Sequence, residues 1–203
     1  MTHEGTCLHN LLGHNFDSWI ACVTEMPDGL LISGGGCFDG NIKVWNVAEN
    51  KCVHILREYS KERYWNQIHC LRVMPQSNDL FVSGSSDDDI KIWNVRLGRC
   101  VKYLHGHTNG VTDLEFDLSN QLISCSKDGT IRIWKIQSFL LSSVKCIRVL
   151  KCKFEQPEMC IRFNKANGKL LSGSRRAIRI WSLETGECEK TIQTEYSMSH
   201  VDL

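Results

Sequence analysis

His107, Ser124 and Asp128 are the residues here whose types most readily suggest chemistry. A serine, a histidine and an aspartate can form the proton-transfer chain of an acyl-transfer enzyme, the imidazole taking the hydroxyl proton while the carboxylate orients the ring. Three further groups invite a metal or phosphate reading. His105 and His107 make a His-x-His pair, but no second pair of zinc donors lies near them. Asp87, Asp88 and Asp89 supply oxygens without the spaced ligands and glycine of a calcium loop. Gly34, Gly35 and Gly36 lack the lysine and following helix of a phosphate loop. The expectation is therefore no metal site and no cofactor. The serine set also recurs: His14, Ser33 and Asp39 repeat it, and Ser83 and Asp87 repeat it with Tyr59 in the histidine's place. A catalyst needs one copy, whereas a scaffold uses one per structural unit. The expectation is a protein that is not an enzyme.

The elements that must carry these residues are short strands. Around Leu122–Trp134, "VTDLEF", "LISCS" and "TIRIW" are rich in Val, Ile, Thr and Trp, which suit a pleated packed surface, and Lys127-Asp128-Gly129 is an Asp-Gly hairpin signal. Turn signals every eight to ten residues exclude a helix. The phrase is repeated. Trp45, Trp93, Trp134 and Trp181 close "DGNIKVW", "DDDIKIW", "DGTIRIW" and "RRAIRIW" at spacings of 48, 41 and 47 residues. A small-residue strand precedes each, another strand precedes that, and "KCVHIL", "RCVKYL", "VKCIRVL" and "ECEKTI" follow. Four strands per unit, about 40 to 45 residues long, is the period of a propeller blade.

Composition sets outer limits. The 203 residues are 42% hydrophobic, enough for a core, and 24 basic against 23 acidic residues leave a net charge of +1. That balance gives no bulk field for nucleic acid or an anionic membrane. No apolar run could cross a bilayer and no signal peptide is readable at the N-terminus, so a cytoplasmic or nuclear protein is expected. Of the 11 cysteines none form Cys-x-x-Cys. Cys52, Cys100 and Cys188 each stand seven residues after a tryptophan, and Cys7 stands seven before His14 as Cys100 does before His107. Repetition predicts reduced thiols that pack in the core rather than ligands or disulfides.

On these four phrases the chain resembles the WD-repeat (Trp-Asp repeat) β-propeller family over nearly its whole length. The aspartate after the tryptophan is replaced by Asn46, Asn94, Lys135 and Ser182. The resemblance implies an all-β fold of four-stranded antiparallel blades at about 15–57, 64–105, 108–151 and 157–193. It also implies that His14, Ser33, Asp39 and Trp45, that Ser83, Asp87 and Trp93, and that His107, Ser124, Asp128 and Trp134 form buried hydrogen-bond chains tying each leading loop to its inner hairpin. The fourth unit departs from the pattern, with Lys153 in the histidine slot and Arg175-Arg176 at the turn, so Ile161, Phe163, Leu171, Ile178, Ile180 and Trp181 are expected to hold it by apolar packing. Residues 6–12 read as a fourth strand and 198–203 as a first strand of a partial blade. The expectation is one incomplete propeller domain, part of a longer chain by on the order of 100 residues, with open apolar faces able to self-associate.

Function in such folds sits on the rim loops. The leading loops and the turns between second and third strands share one face. There the candidates are Phe16, Trp19, Cys37 and Phe38 in the first unit, Tyr59, Arg63, Tyr64 and Trp65 before the second, and Arg175 and Arg176 in the fourth. The longer turn "GGGCFDG" is expected to lift Cys37 and Phe38 out of the sheet. Aromatics with arginines are the composition of protein-binding hot spots. The reading is a non-catalytic scaffold or adaptor for unidentified protein partners. The alternative is the substrate-recognition subunit of a ubiquitin ligase, which needs an adaptor-binding module. Nucleic-acid binding would need a basic groove, and the insertion 137–145 offers a second contact site on the opposite face.

Overall fold

A computed structural model describes residues 7, 9–57, 67–137, 143–151 and 160–193. Among these residues sixteen strands fall into four antiparallel sheets of four, each running in simple chain order. The first sheet comprises β1 (Ile20–Glu25), β2 (Leu30–Gly35), β3 (Ile42–Asn46) and β4 (Lys51–Leu56). The second holds β5 (Ile68–Val73), β6 (Leu80–Ser85), β7 (Ile90–Asn94) and β8 (Arg99–Leu104). The third holds β9 (Val111–Phe116), β10 (Leu122–Ser126), β11 (Thr130–Gln137) and β12 (Ser143–Lys151). The fourth holds β13 (Cys160–Asn164), β14 (Lys169–Gly173), β15 (Ala177–Ser182) and β16 (Cys188–Gln193). Cys7 and residues 9–12 form no strand, which corrects the described part of the 6–12 expectation; 198–203 and the tip of the insertion at 138–142 lie outside the described residues.

Both faces of the inner strands of the second and third sheets are apolar because each of these sheets is sandwiched between two neighbours. Val44, Leu56 and Ile32 of the first sheet meet Leu71, Phe81 and Trp93 of the second. Val82, Ile92 and Leu104 of the second meet Leu114, Leu122 and Trp134 of the third. Ile123, Ile131 and Leu150 of the third meet Ile161, Leu170 and Trp181 of the fourth. Sheets this close leave no room at some positions: a Cβ on Gly84 would sit 2.7 Å from both Cys70 Sγ and Val111 Cγ1.

The sheets form an open arc in which β1, β5, β9 and β13 run side by side along the inner edge, and among the described residues the first sheet does not pack on the fourth. The consequence is visible at one repeated position. Leu71, Leu114 and Ile161, opposite Ser83, Ser124 and Ser172 in register, are 1%, 0% and 0% exposed, whereas Val23, opposite Ser33, is 54% exposed. At the other end Leu56, Leu104 and Leu150 are buried, but their counterpart Ile192 is exposed. Leu171, Ile178 and Ile180 are only half-buried, so they do not hold the fourth sheet as expected. Ile161, Phe163 and Trp181 do face its interior.

Polar pairs join the inner edge between sheets. Arg72 Nη2 of β5 lies 3.0 Å from Asp113 Oδ1 of β9, and Asp113 Oδ2 accepts the Ile161 N–H at 3.0 Å. Arg162 of β13 pairs with Glu115 of β9 at 3.3 Å. Burial pushes the Asp113 carboxyl above its usual range, against the pull of Arg72.

The repeated cysteines have a different role from the one expected. Cys52 and Cys188 are exposed and Cys7, also exposed, lies outside any strand, so these three are not core residues, while Cys100 is half-buried and packs against the core between the first and second sheets. Each fourth strand slips register opposite the tryptophan, pairing it with Cys52, Cys100, Cys146 or Cys188. Within these β-bulges the thiol donates to the carbonyl two residues on, at 3.3 to 3.4 Å: His54, Lys102, Arg148 and Lys190. The residue that each ladder skips, Val53, Val101, Ile147 or Glu189, lies between the thiol and its acceptor, so the bond closes across the bulge.

Candidate protein-binding face

The third sheet shows the complete polar chain. Trp134 Nε1–H on β11 donates to Ser124 Oγ on β10 at 2.9 Å, Ser124 Oγ lies 2.7 Å from His107 Nε2, and His107 Nδ1 lies 2.8 Å from Asp128 Oδ2. The geometry assigns the tautomer: the serine hydroxyl donates to Nε2, and Nδ1–H donates to the carboxylate. Burial is the main influence on His107 and holds its pKa below the usual value, against the aspartate. Burial also pushes Asp128 up, but hydrogen bonds from Thr130, His107 and the Thr108 N–H outweigh it and leave the carboxyl below its ordinary range. Ser124 is fully buried with its oxygen engaged by the indole. No substrate could meet that oxygen, and the chain acts to clamp the loop before β9 onto the β10–β11 turn.

In the first sheet Trp45 Nε1 lies 2.8 Å from Ser33 Oγ, Ser33 Oγ lies 2.6 Å from His14 Nε2, and His14 Nδ1 pairs with Asp39. Burial pushes Asp39 up, and hydrogen bonds from His14, the Asn15 N–H and Asn41 bring it below the ordinary range. The second sheet keeps only part of the chain. Trp93 Nε1 reaches Ser83 Oγ at 2.8 Å, while Asp87 turns instead to Lys91 on β7 and to the Ser85 hydroxyl. Tyr59 lies outside the described residues. In the fourth sheet Trp181 Nε1 donates to Ser172 Oγ at 2.8 Å, a bond missed from the sequence although "LLSGS" aligns Ser172 with Ser33, Ser83 and Ser124. Arg179, buried on β15, reaches Ser174 Oγ at 3.2 Å.

These clamps set the rim. In the first sheet, Asn15 N–H bonds Asp39, Asn15 Nδ2 donates to the Phe38 carbonyl at 3.2 Å, and Gly36 N–H donates to the Trp19 carbonyl at 2.8 Å. The leading loop is thereby fixed to the 36–41 turn, with Phe16 100% exposed and both Trp19 and Phe38 more than half exposed. Cys37 is not lifted outward: it is half-buried, and its thiol donates to Gln67 Oε1 at 3.2 Å, tying the first rim turn to the second sheet. Arg175 and Arg176 are exposed in the fourth turn, three sheets away from the aromatics. Arg63, Tyr64 and Trp65 lie outside the described residues.

Four-stranded sheets packed face to face in an arc, each with a tryptophan on the third strand bonded to a serine on the second, define a WD-repeat β-propeller arc. The WD domain, G-beta repeat model matches residues 5–46, 50–94 and 98–135, more than half of the chain, and the protein belongs to that family. The fourth sheet, with Arg175-Arg176 in place of the turn aspartate, lies beyond the matched residues. Over 94 residues the chain is 39% identical to nuclear distribution protein nudF 1 of Talaromyces marneffei, covering 44% of this chain and 19% of that protein. Over 87 residues it is 35% identical to nuclear distribution protein nudF of Emericella nidulans, covering 41% of this chain and 18% of that one. The matched region thus amounts to about a fifth of the length of these curated relatives. The solved WD40 β-propeller domain of Doa1 superposes with a TM-score of 0.74 at 27% identity, covering 95% of this chain and 59% of that one. Such propellers generally serve as protein-interaction scaffolds without catalysis. No helix among the described residues is long and apolar enough to cross a membrane.

Proposed function

We propose that this protein is an adaptor that holds a protein partner on the rim formed by the leading loops and the turns between second and third strands. The observation that carries this reading is Phe16, wholly exposed on a loop that hydrogen bonds fix to the neighbouring turn. Exposing a large apolar ring on a preorganised loop costs free energy in the isolated protein, and a partner that covers it gains that area without first ordering the loop. Trp19 and Phe38 extend the same surface, and aromatic anchors of this kind dominate protein-binding energetics. The four bulge thiols act as S–H donors and therefore need the reduced state, which supports a reducing compartment, cytoplasm or nucleus.

The test is site-specific photo-crosslinking in cells of the source organism, with the photo-reactive residue placed at Phe16, at Phe38, or at the exposed Leu97 and Leu118 on the opposite end of the sheets. Partner adducts confined to the two phenylalanine positions, and lost in a Phe38→Ala background for the Phe16 probe, support the reading. Equal adducts at Leu97 and Leu118, or none at Phe16, overturn it.

A further inference from the structure

The first sheet departs from its neighbours at two places on the rim, and the two lie side by side. Val23, opposite the clamp serine, follows His14 by nine positions, whereas Leu114 follows His107 by seven. Asp39 follows Ser33 by six positions, whereas Asp87 follows Ser83 and Asp128 follows Ser124 by four. Each lengthened segment closes into a tight turn. Ser18 N–H donates to the Asn15 carbonyl at 3.0 Å and Asp17 N–H to Asn15 Oδ1 at 3.4 Å, which sets Phe16 and Asp17 at the corners of a β-turn. Asp39 N–H donates to the Gly36 carbonyl at 3.1 Å and sets Cys37 and Phe38 at the corners of a second. The Asn15 bond to the Phe38 carbonyl joins the two turns. Trp19 lies against the second turn so closely that a Cβ on Gly36 would sit 2.7 Å from its Cε2.

The paired turns present three exposed rings and one carboxylate, since Asp17 is exposed beside Phe16 at the same corner. The corresponding part of the third sheet exposes Thr108, Asn109 and Lys127 instead, with neither Phe nor Trp. Residues 9–42 contain no lysine or arginine. The next residue, Lys43, is buried and its ammonium donates to the Gly13 carbonyl. A partner that covers Phe16 therefore covers Asp17 with it. A purely apolar partner would strip water from that carboxylate and return no hydrogen bond, at a cost larger than the gain from burying one ring. The occupant must bring a cation of its own. A guanidinium meets both demands: it donates two parallel hydrogen bonds to a carboxylate, and its plane lies on aromatic faces. An ammonium is a compact point charge that holds its water more strongly.

Resting on the rim reading above, we infer that the paired turns of the first sheet take an arginine side chain of the partner protein, its guanidinium bonded to Asp17 and its flat face and stem covering Phe16 and Phe38. The rings supply the contact area and the carboxylate supplies the selection, because a neutral side chain in the same place leaves Asp17 without a partner. Asn15 fixes both turns before the partner arrives, so the arginine does not have to order them.

The test titrates the isotope-labelled full chain, followed by its amide chemical shifts, with the peptide acetyl-Gly-Leu-Arg-Leu-Gly-amide. Two relatives carry lysine or the neutral citrulline in place of the arginine. The arginine peptide is expected to shift the amides of 15–19 and 36–40 and to bind about fivefold more tightly than the citrulline peptide, with the difference shrinking at high salt. Asp17→Asn keeps the turn, whose bonds use the Asp17 backbone and the Asn15 side chain, and is expected to bring the two peptides within about twofold. Equal shifts at 15–19 with all three peptides, or a preference that survives Asp17→Asn, overturn the inference and leave the rim reading to the crosslinks at Phe16. Tighter binding of the lysine peptide overturns it in favour of a point charge. The absence of shifts at 15–19 with every peptide overturns it too.

Discussion

The third and fourth sheets are built on the same strand order and the same tryptophan–serine bond, 2.9 Å in one and 2.8 Å in the other. They differ in what is added to it. The third sheet continues the bond through His107 to Asp128 and so anchors its leading loop. The fourth has arginines at the turn and a buried arginine, Arg179, on its third strand. The difference separates two jobs that the sequence motif combines. The indole–serine bond secures the middle of a blade, and the histidine and aspartate secure a loop.

The strongest way to break that comparison is at the tryptophans. Trp134→Ala and Trp181→Ala are each expected to cost about 3 to 5 kcal/mol, the penalty for truncating a large buried aromatic. Urea unfolding that finds Trp181→Ala nearly neutral would show that the fourth blade does not rely on the shared bond. The serines sharpen the distinction. Ser124→Ala strands both the Trp134 N–H and the His107 ring and should cost about 2 to 3 kcal/mol, against about 1 for Ser172→Ala, where one indole loses its acceptor. Equal losses for the two serines would remove the extended chain from the account.

Acid offers a test without mutation. His107 has a lowered pKa in the folded state, so between that value and the ordinary 6.5 the unfolded state binds more protons and stability falls as pH falls through that window. Asp128 is also lowered, and its contribution is present above the unfolded carboxylate range and lost as pH falls through the folded pKa. Both act in the same direction. Hydrogen exchange read by mass spectrometry should therefore show 107–116 and 122–134 losing protection between pH 7 and pH 5 faster than 169–182. Parallel loss in the two regions would contradict the assignment. The smallest effect is expected where the two sheets agree: Cys146→Ser and Cys188→Ser should each change the unfolding free energy by no more than about 0.5 kcal/mol, since both thiols make the same weak bulge bond.

The four-unit repeat was legible because tryptophan, small-residue strand and turn recur together, and the residues of the His107 chain could be named before any geometry. The bulges were not legible. A cysteine repeated seven residues after a tryptophan reads as a core residue, because sequence period cannot reveal a register slip that turns the thiol outward. Ser172 was overlooked because the arginines beside it drew the fourth unit out of the pattern, although its alignment with Ser124 was available. Cys37 was read as lifted outward from the length of its turn; Gln67, which draws it inward, belongs to the next unit and has no local signal.

The open arc has a mechanical consequence. Among the described residues each sheet packs on its neighbours in chain order, so the stability of this stretch is a sum of unit and interface contributions. Among the described residues, Val23 of the first sheet and Ile192 of the fourth stay exposed where their counterparts in the middle sheets are buried. A substitution inside one sheet is therefore felt most strongly across its interfaces with the adjacent sheets and only weakly two sheets away.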